Sequence, residues 1–585
     1  MRAAIEEANA TTAADTISFN IGGSGVKTIS PMTALPDITA PVTIDGYSEP
    51  GARPNTLNTG TDAALKIELS GANAGAGAIG LRITSRDSVV KGLIINRFGF
   101  GVSMSGSGQF GGRNKIEGNF IGTDASGTID LGNSRDGVTM SDAGSNVVGG
   151  TSAAARNIIS GNNLDGVFDE DGGSHRIEGN YIGTDASGTA DLGNGEDGVT
   201  FLNSGSNVVG GTSAAARNII SGNGNDGVTI SSTGSPSSQS AVNKVMGNYI
   251  GTDASGTADL GNSSDGVVIE GGVGTVGAHD NTIGGTEAGA GGQASGAPNV
   301  ISGNDSHGVA ISADAFSNSI LSNSIYSNGA LGIDLRANGV TANDPKDADT
   351  GPNTLQNYPV ITSVTTTSGQ TTIKGTLNSI PNSSLFFLQF FASPTADPSG
   401  FGEGQTLVGE TLVNTDSNGD ASFDFATATP LQGGQVVSAT ATRNGHTSEF
   451  SRAVAVVGTT APTVSATTPT NGATGVPRNI SPTATFSEEM DPSSLTTSTA
   501  KVYQRVRKKI RRHGKVRRVW RWVPVSAEVS YDGANKTVTL NPYGTSETLL
   551  APSRSHRVVI STGVKDKAGN ALAQNYSWTF TTGIS

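Results

Sequence analysis

The feature that most constrains this chain is a set of near-verbatim internal repeats that return in the same direction. Gly-Thr-Asp-Ala-Ser-Gly-Thr stands at 122–128, 183–189 and 251–257, each time followed by Asp-Leu-Gly-Asn from 130, 191 and 259. A longer block, Asn-Val-Val-Gly-Gly-Thr-Ser-Ala-Ala-Ala-Arg-Asn-Ile-Ile-Ser-Gly-Asn, fills 146–162 and 207–223, with a degenerate copy at 281–304. Asp-Gly-Val at 136, 165, 197, 226 and 265, continued by His307-Gly308-Val309, cuts the repeat into alternating subunits of 29 and 32 residues. Each subunit holds three short apolar segments, such as Val138 with Met140, Val147-Val148 and Ile158-Ile159. Segments of three to five residues that recur in one direction cannot be hairpins; they stack in parallel. The expected fold class is all-β: a right-handed parallel β-helix, three short strands per coil and about ten coils, on the order of 45 Å long at one inter-strand spacing per coil. Val, Ile and Leu fill the inside, and Asn and Gly take corners that need bent or left-handed backbone. The 29-residue coils carry their long loop between the second and third strands, and the 32-residue coils carry theirs after the third.

Composition narrows what such a stack can do. The 585 residues include 82 Gly and no Cys, and only 15% are charged. A disulfide framework and a catalytic thiol are thereby excluded. No run of about 18 apolar residues offers a membrane span. A net charge of −13 and pI near 5.0 argue against a nucleic-acid partner for the chain as a whole. The six histidines are scattered without zinc spacing.

Two family resemblances follow from particular residues. Arg2-Ala3-Ala4-Ile5-Glu6-Glu7-Ala8-Asn9, Ala14-Asp15-Thr16-Ile17-Ser18-Phe19 and Pro41-Val42-Thr43-Ile44-Asp45-Gly46 resemble the opening of bacterial CSLREA-domain β-helix proteins, although the Cys-Ser-Leu of that motif is missing. Gly332-Ile333-Asp334-Leu335, Asn343-Asp344-Pro345 and Gln356-Asn357-Tyr358-Pro359 resemble the closing coil of the same family. This resemblance spans roughly residues 1 to 360 and implies a secreted or cell-surface setting, with an export signal lost from a truncated start. Further on, Phe486-Ser487-Glu488-Glu489-Met490-Asp491-Pro492, Gly563-Val564-Lys565-Asp566-Lys567-Ala568-Gly569-Asn570 and Trp578-Thr579-Phe580-Thr581-Thr582-Gly583 are similar to bacterial Ig-like domains of the surface-layer type. That likeness implies a spacer or adhesive module. The expected organisation is a cap at 1–29, the β-helix at 30–357, a β-sandwich at 358–458 and the Ig-like domain at 459–585.

Within the Ig-like domain, residues 501–521 hold eleven Lys or Arg and no acid, so the rest of the chain is more acidic than the whole. His513-Gly514 sits at the centre like a turn, which predicts a long basic hairpin over 501–523. Its candidate polymer-binding residues are Arg507, Lys508, Lys509, Arg511, Arg512, Lys515, Arg517, Arg518, Trp520, Arg521 and Trp522. Three readings fit: charges that merely resist edge pairing, a face for an anionic polymer, whether acidic polysaccharide, wall polymer or DNA, or a contact with the acidic β-helix of the same chain.

Chemistry on the β-helix itself is harder to place. The Asp row at 136, 165, 197, 226 and 265 repeats coil after coil, which suits turn hydrogen bonds, whereas a catalytic centre is singular. One coil breaks the rule: Val167-Phe168-Asp169-Glu170-Asp171 stands where its neighbours read Val138-Thr139-Met140-Ser141-Asp142 and Val199-Thr200-Phe201-Leu202-Asn203, with His175 in place of Asn146 and Asn207. Asp169, Glu170, Asp171 and His175 are therefore the catalytic candidates, and an inward Asp169 needs a partner such as a proton, a cation or His175. Asp344, Asp347 and Asp349 place oxygens at spacings that suit Ca²⁺ without an EF-hand pattern, or else cap the last coil as an Asx turn. The function expected is a non-catalytic, monomeric, exported rod that binds glycan or another surface polymer. The alternative is a polysaccharide lyase or glycoside hydrolase working in the β-helix groove, with Ca²⁺ as the possible cofactor.

Overall fold

The computed structural model describes residues 1–584 except 107–111, 234–239, 273–276, 286–296, 313, 368–369, 459–460, 513–514 and 543–548. The chain forms two compact units. One comprises Met1–Thr362, Gly375–Phe423 and Val437–Ala453; the other comprises Ser363–Lys374, Asp424–Val436 and Val454–Ser585.

The first unit is built on a right-handed parallel β-helix whose three sheets hold ten, ten and nine strands. Sheet 1 runs from Asp15–Ser18 to Ser319–Leu321, sheet 2 from Lys27–Ile29 to Ser324–Tyr326, and sheet 3 from Ile79–Ile83 to Ile333–Leu335. Strands thus begin inside the stretch read as a cap. Register is set by identity between coils: Ile95, Ile121, Ile159, Ile182, Ile220 and Ile250 are successive partners in sheet 2, all fully buried. A one-residue slip in any coil would turn this row outward, so the repeat itself enforces the pairing.

The corners are more than bends. Each is lined by a row of buried asparagines that bond to one another between coils. Along the corner between sheets 1 and 2, side chains link Asn119 through Asn157, Asn180, Asn218, Asn248 and Asn299 to Asn323 at 2.9 to 3.2 Å. A second row runs from Asn133 to Asn328 between sheets 2 and 3. Their oxygens accept corner N–H groups such as those of Asn119 and Asn180, and their nitrogens donate to strand carbonyls, which adds to the conformational reason for Asn at a corner.

The last coil is closed by segments from the sandwich region. Ile325 and Gly404 exchange two backbone hydrogen bonds of 2.9 Å. The second asparagine row ends on Glu403, which accepts from Asn328 Nδ2 at 2.9 Å, and Phe391 and Phe450 join the β-helix core. Burial holds the Glu403 carboxyl up at about 7. Covering the terminal coil in this way removes an open edge that would otherwise pair with another chain.

In the second unit, the Ig-like module pairs a four-stranded sheet with a five-stranded one around Phe486, Met490, Val502, Val558, Trp578 and Phe580. The five-stranded sheet ends in the hairpin Ala500–Arg512 and Lys515–Val525. Ala500 to Gln504 also pair with the strand Ser555–Ile560, whereas residues 505–512 pair only with their own hairpin partner.

Candidate functional site

The basic hairpin is two-faced. Directly opposed residues share a face in an antiparallel pair, and successive residues alternate. Register pairs Tyr503 with Pro524, Arg505 with Trp522, Arg507 with Trp520, Lys509 with Arg518 and Arg511 with Val516. One face therefore carries Arg505, Arg507, Lys509, Arg511 and Arg518 interleaved with Tyr503, Trp520 and Trp522. The other carries Lys508, Arg517 and Arg521 among Val506, Ile510, Val519 and Val523. The basic hairpin expected from the sequence carries cations on both faces, and the aromatics all fall on one. The guanidinium carbons of Arg505 and Arg507 lie 5.2 and 6.0 Å from the centre of the Trp520 ring, which is itself half exposed. Arg557, opposite Tyr503 on the neighbouring strand, sits 5.4 Å from the Tyr503 ring and 5.1 Å from Trp522. It joins the face by strand pairing, so no local sequence signal marks it. No Asp or Glu occurs from 501 to 525. Flat rings braced by cations offer stacking and charge together, which suits an extended anionic chain. His513 and Gly514, and the side chains of Arg512 and Lys515, lie outside the described residues.

The irregular coil resolves into an interior cluster. Asp169 pairs in register with Met140 and Phe201, both core residues, and Asp169 and His175 are each 0% exposed. Asp169 Oδ2 accepts the Ser204 hydroxyl, and His175 Nε2 lies 3.3 Å from Oδ1. His175 Nδ1 accepts from the Asn146 backbone at 3.1 Å and Nε2 accepts from Gly173 N at 3.2 Å, while Asp169 Oδ1 is buried without a hydrogen bond. His175 thus replaces one asparagine of a third corner row, leaving Asn146 Nδ2 buried without a partner. Glu170 points outward and half-buried. Asp171 is exposed with φ 54°, matching Asp142 (49°) and Asn203 (53°) at the same left-handed corner. The four candidates are not gathered in one cleft: two are sealed in the core and two lie on its outside.

The Asp row is a ladder. Each carboxylate accepts the backbone N–H of the next member at 2.8 to 3.2 Å, from Asp136 to Asp265, and His307 closes the row at 2.7 Å. Burial, then the Asp197 and Asp136 carboxylates, push Asp165 up to about 8, and Asp226 rises to about 6 by burial and Asp197. His307 Nδ1 meets Asp265 at 2.8 Å and Nε2 meets Asp334 at 3.2 Å, which raises the imidazole to about 9.

Asp344, Asp347 and Asp349 are brought together, each offering an oxygen within 4.8 Å of the others. Asp347 accepts from Asn357 N and Ser379 Oγ, and Asp344 accepts from Ala348 N, so part of the cluster is turn bonding. Asp349 Oδ1 is buried without a hydrogen bond. Burial and the two neighbouring carboxylates raise Asp347 to about 6. The donor set is hard oxygen, the chemistry of Ca²⁺.

Residues 458–582 match the family described as bacterial Ig-like domain, which bears out the resemblance read from that module. The CSLREA-type likeness of residues 1 to 360 remains a resemblance. No curated protein sequence matches this chain. Among solved structures, the N-terminal part of the bacterial S-layer protein SbsC is 17% identical, covering 21% of this chain and 24% of that one at a TM-score of 0.14. The chain thus spans about a quarter of the length of that structure. The mannuronan C-5 epimerase AlgE4 A-module of Azotobacter vinelandii is 14% identical over 56% of this chain and 73% of its own, TM-score 0.30. Tailspike protein 2 of bacteriophage CBA120 is 12% identical over 78% and 73%, TM-score 0.21. Among the described residues no helix is long and apolar enough to cross a membrane.

Proposed function

We propose that this chain is a non-catalytic, surface-displayed polymer-binding protein. In this reading the chain joins a rigid β-helix to an Ig-like module whose hairpin holds an acidic glycan. The observation that carries the reading is the segregation of Tyr503, Trp520 and Trp522 with Arg505, Arg507, Lys509, Arg511 and Arg518 on one hairpin face. A hairpin whose charges only resist edge pairing has no reason to sort its aromatics. Binding without turnover is supported by the interior position of Asp169 and His175, where a polysaccharide cannot reach them. An exported setting agrees with the module type and the absence of cysteine.

The test uses the full chain with polygalacturonate as the acidic polymer and dextran as the neutral one. Replacing Arg505, Arg507, Lys509 and Arg518 by Ser is expected to weaken polygalacturonate binding strongly and to flatten its salt dependence, by roughly one unit of slope per lost ionic contact. Replacing Lys508, Arg517 and Arg521 on the other face should cost less. Equal losses from the two faces would reduce the hairpin to a diffuse charge, and no loss from either would remove it as the binding site.

A further inference from the structure

The outer surface of sheet 2 holds a second, smaller core. Its outward residues Phe120, Ile158, Tyr181 and Ile219 pack beneath the two loop rows, which leave the β-helix on either side of this sheet. The loop repeat places an arginine over a tyrosine of the neighbouring coil twice. Arg156 lies 4.6 Å from the Tyr181 ring centre, and Arg217, its counterpart one repeat on, lies 4.0 Å from that of Tyr249.

The two arginines differ in what fills their outer nitrogens. The segment from Asn55 to Asp62 reaches across sheet 2 and is held there by Asn55 Nδ2 on Ala153 O and by Gly60 N on the Tyr181 hydroxyl. It delivers three carbonyls to Arg156: Leu57 O at 3.2 Å and Gly60 O on Nη1, and Asn58 O at 2.7 Å on Nη2. Arg217 donates Nε to Gly247 O at 3.0 Å, and among the described residues neither Nη is hydrogen-bonded. Beside it lies a cavity of about 320 Å³ lined by Asn58, Thr59, Ser152, Ala214 and Ala215, together with Arg156 and Arg217. Among the described residues no carboxylate lines it. In the degenerate third copy the arginine is Pro298, so the free guanidinium occurs at one repeat.

We infer that Arg217 and this cavity form a subsite for one carboxylate-bearing sugar residue, a hexuronate unit of an acidic polysaccharide. The chain's own strap shows what the position takes: acceptor oxygens in the plane of a guanidinium stacked on tyrosine. Arg217 keeps that geometry with its fork open, and a planar carboxylate fills two parallel N–H donors. Among the described lining residues, Arg217 is the cation with both Nη groups free, the pair of donors that one carboxylate per sugar fills. The Nη donors of Arg156 are already filled by backbone carbonyls, so the third oxygen of a phosphate would find no free Nη donor. Asn58, Thr59 and Ser152 supply polar partners for ring hydroxyls, while Ala214 and Ala215 give a low apolar wall. The volume sits at the lower end of ligand pockets, which run from roughly 300 to 1,000 Å³.

This inference rests on the acidic-glycan reading but names a site outside the hairpin, so the two can fail separately. The experiment is calorimetric titration of the full chain with tri-galacturonate, and with the neutral galactose trimer as control. Arg217→Gln is expected to weaken tri-galacturonate binding about tenfold or more, the loss of a charge-assisted pair. Arg217→Lys should recover part of it, and the hairpin variant should keep it. Arg217→Gln that folds, by circular dichroism, and binds as wild type overturns the inference, as does equal binding of the neutral trimer. Loss of binding in the hairpin variant alone would leave the hairpin reading standing and refute the subsite.

Discussion

Asp165→Asn tests the ladder in the β-helix. Asp165 is 6% exposed, between the carboxylates of Asp136 and Asp197, and its folded pKa of about 8 stands against an ordinary 3.8. A carboxyl whose folded pKa is raised favours folding at low pH and opposes it as pH rises toward the folded value, because the unfolded chain gains by ionising first. At pH 7 the gap between 7 and the unfolded value corresponds to about 4 kcal/mol working against the native state, and at pH 5 to under about 2 kcal/mol. Asparagine keeps the oxygen that accepts Asp197 N at 2.9 Å and has no charge to lose. The variant is therefore expected to be more stable than wild type by about 2 to 4 kcal/mol at pH 7 and nearly equal to it at pH 5. Guanidinium unfolding separates the units, because all three tryptophans lie in the Ig-like module: fluorescence reports that module, and far-UV circular dichroism adds the β-helix. An Asp165→Asn protein less stable than wild type at pH 7, or a difference independent of pH, would refute the assignment of strain to this carboxyl.

Three further outcomes follow from the same geometry. Asp169→Met with His175→Asn restores the residues of the adjacent coils and gives Asn146 Nδ2 an acceptor, so the double variant should be at least as stable as wild type; a loss above about 2 kcal/mol in denaturant unfolding would show that the buried pair holds the coil together. Asn218→Ala removes the acceptor of Asn180 N, leaving that buried N–H unpaired, and a second donor to Ile177 O, and should lower stability by about 1 to 3 kcal/mol by the same measurement. A mild effect would mean the rows are decoration on the strand pairing. Millimolar Ca²⁺ should raise the unfolding midpoint of the wild-type chain by relieving repulsion among Asp344, Asp347 and Asp349, and Asp349→Asn should abolish that shift; an unchanged midpoint would leave the cluster as a turn.

Much of this architecture is legible in the amino-acid sequence, because a parallel stack requires like residues at like positions. The Ile row of sheet 2, the pairing of Asp169 with Met140 and Phe201, and the two loop rows can all be counted off the repeats. What escapes counting is contact between remote or unlike segments. Glu403 ends an asparagine row from a domain read as separate, and Asp334 completes the His307 pair from two coils beyond Asp265. Arg557 joins the hairpin face through a strand some fifty residues on. Asparagine is ambiguous at a corner, since a left-handed bend and a buried amide ladder call for the same residue. Arg156 and Arg217 are indistinguishable as sequence; only the strap at 55–62 tells them apart.

The proposed activity is retention of an acidic polymer without its cleavage. The most direct measurement incubates the full chain with polygalacturonate, with and without Ca²⁺, and follows bound polymer, polymer length, reducing ends and unsaturated products together. Salt-sensitive binding that depends on the hairpin's aromatic face is expected, with polymer length unchanged and neither product rising. Shortening of the polymer with turnover lost in Asp169→Ala would contradict it.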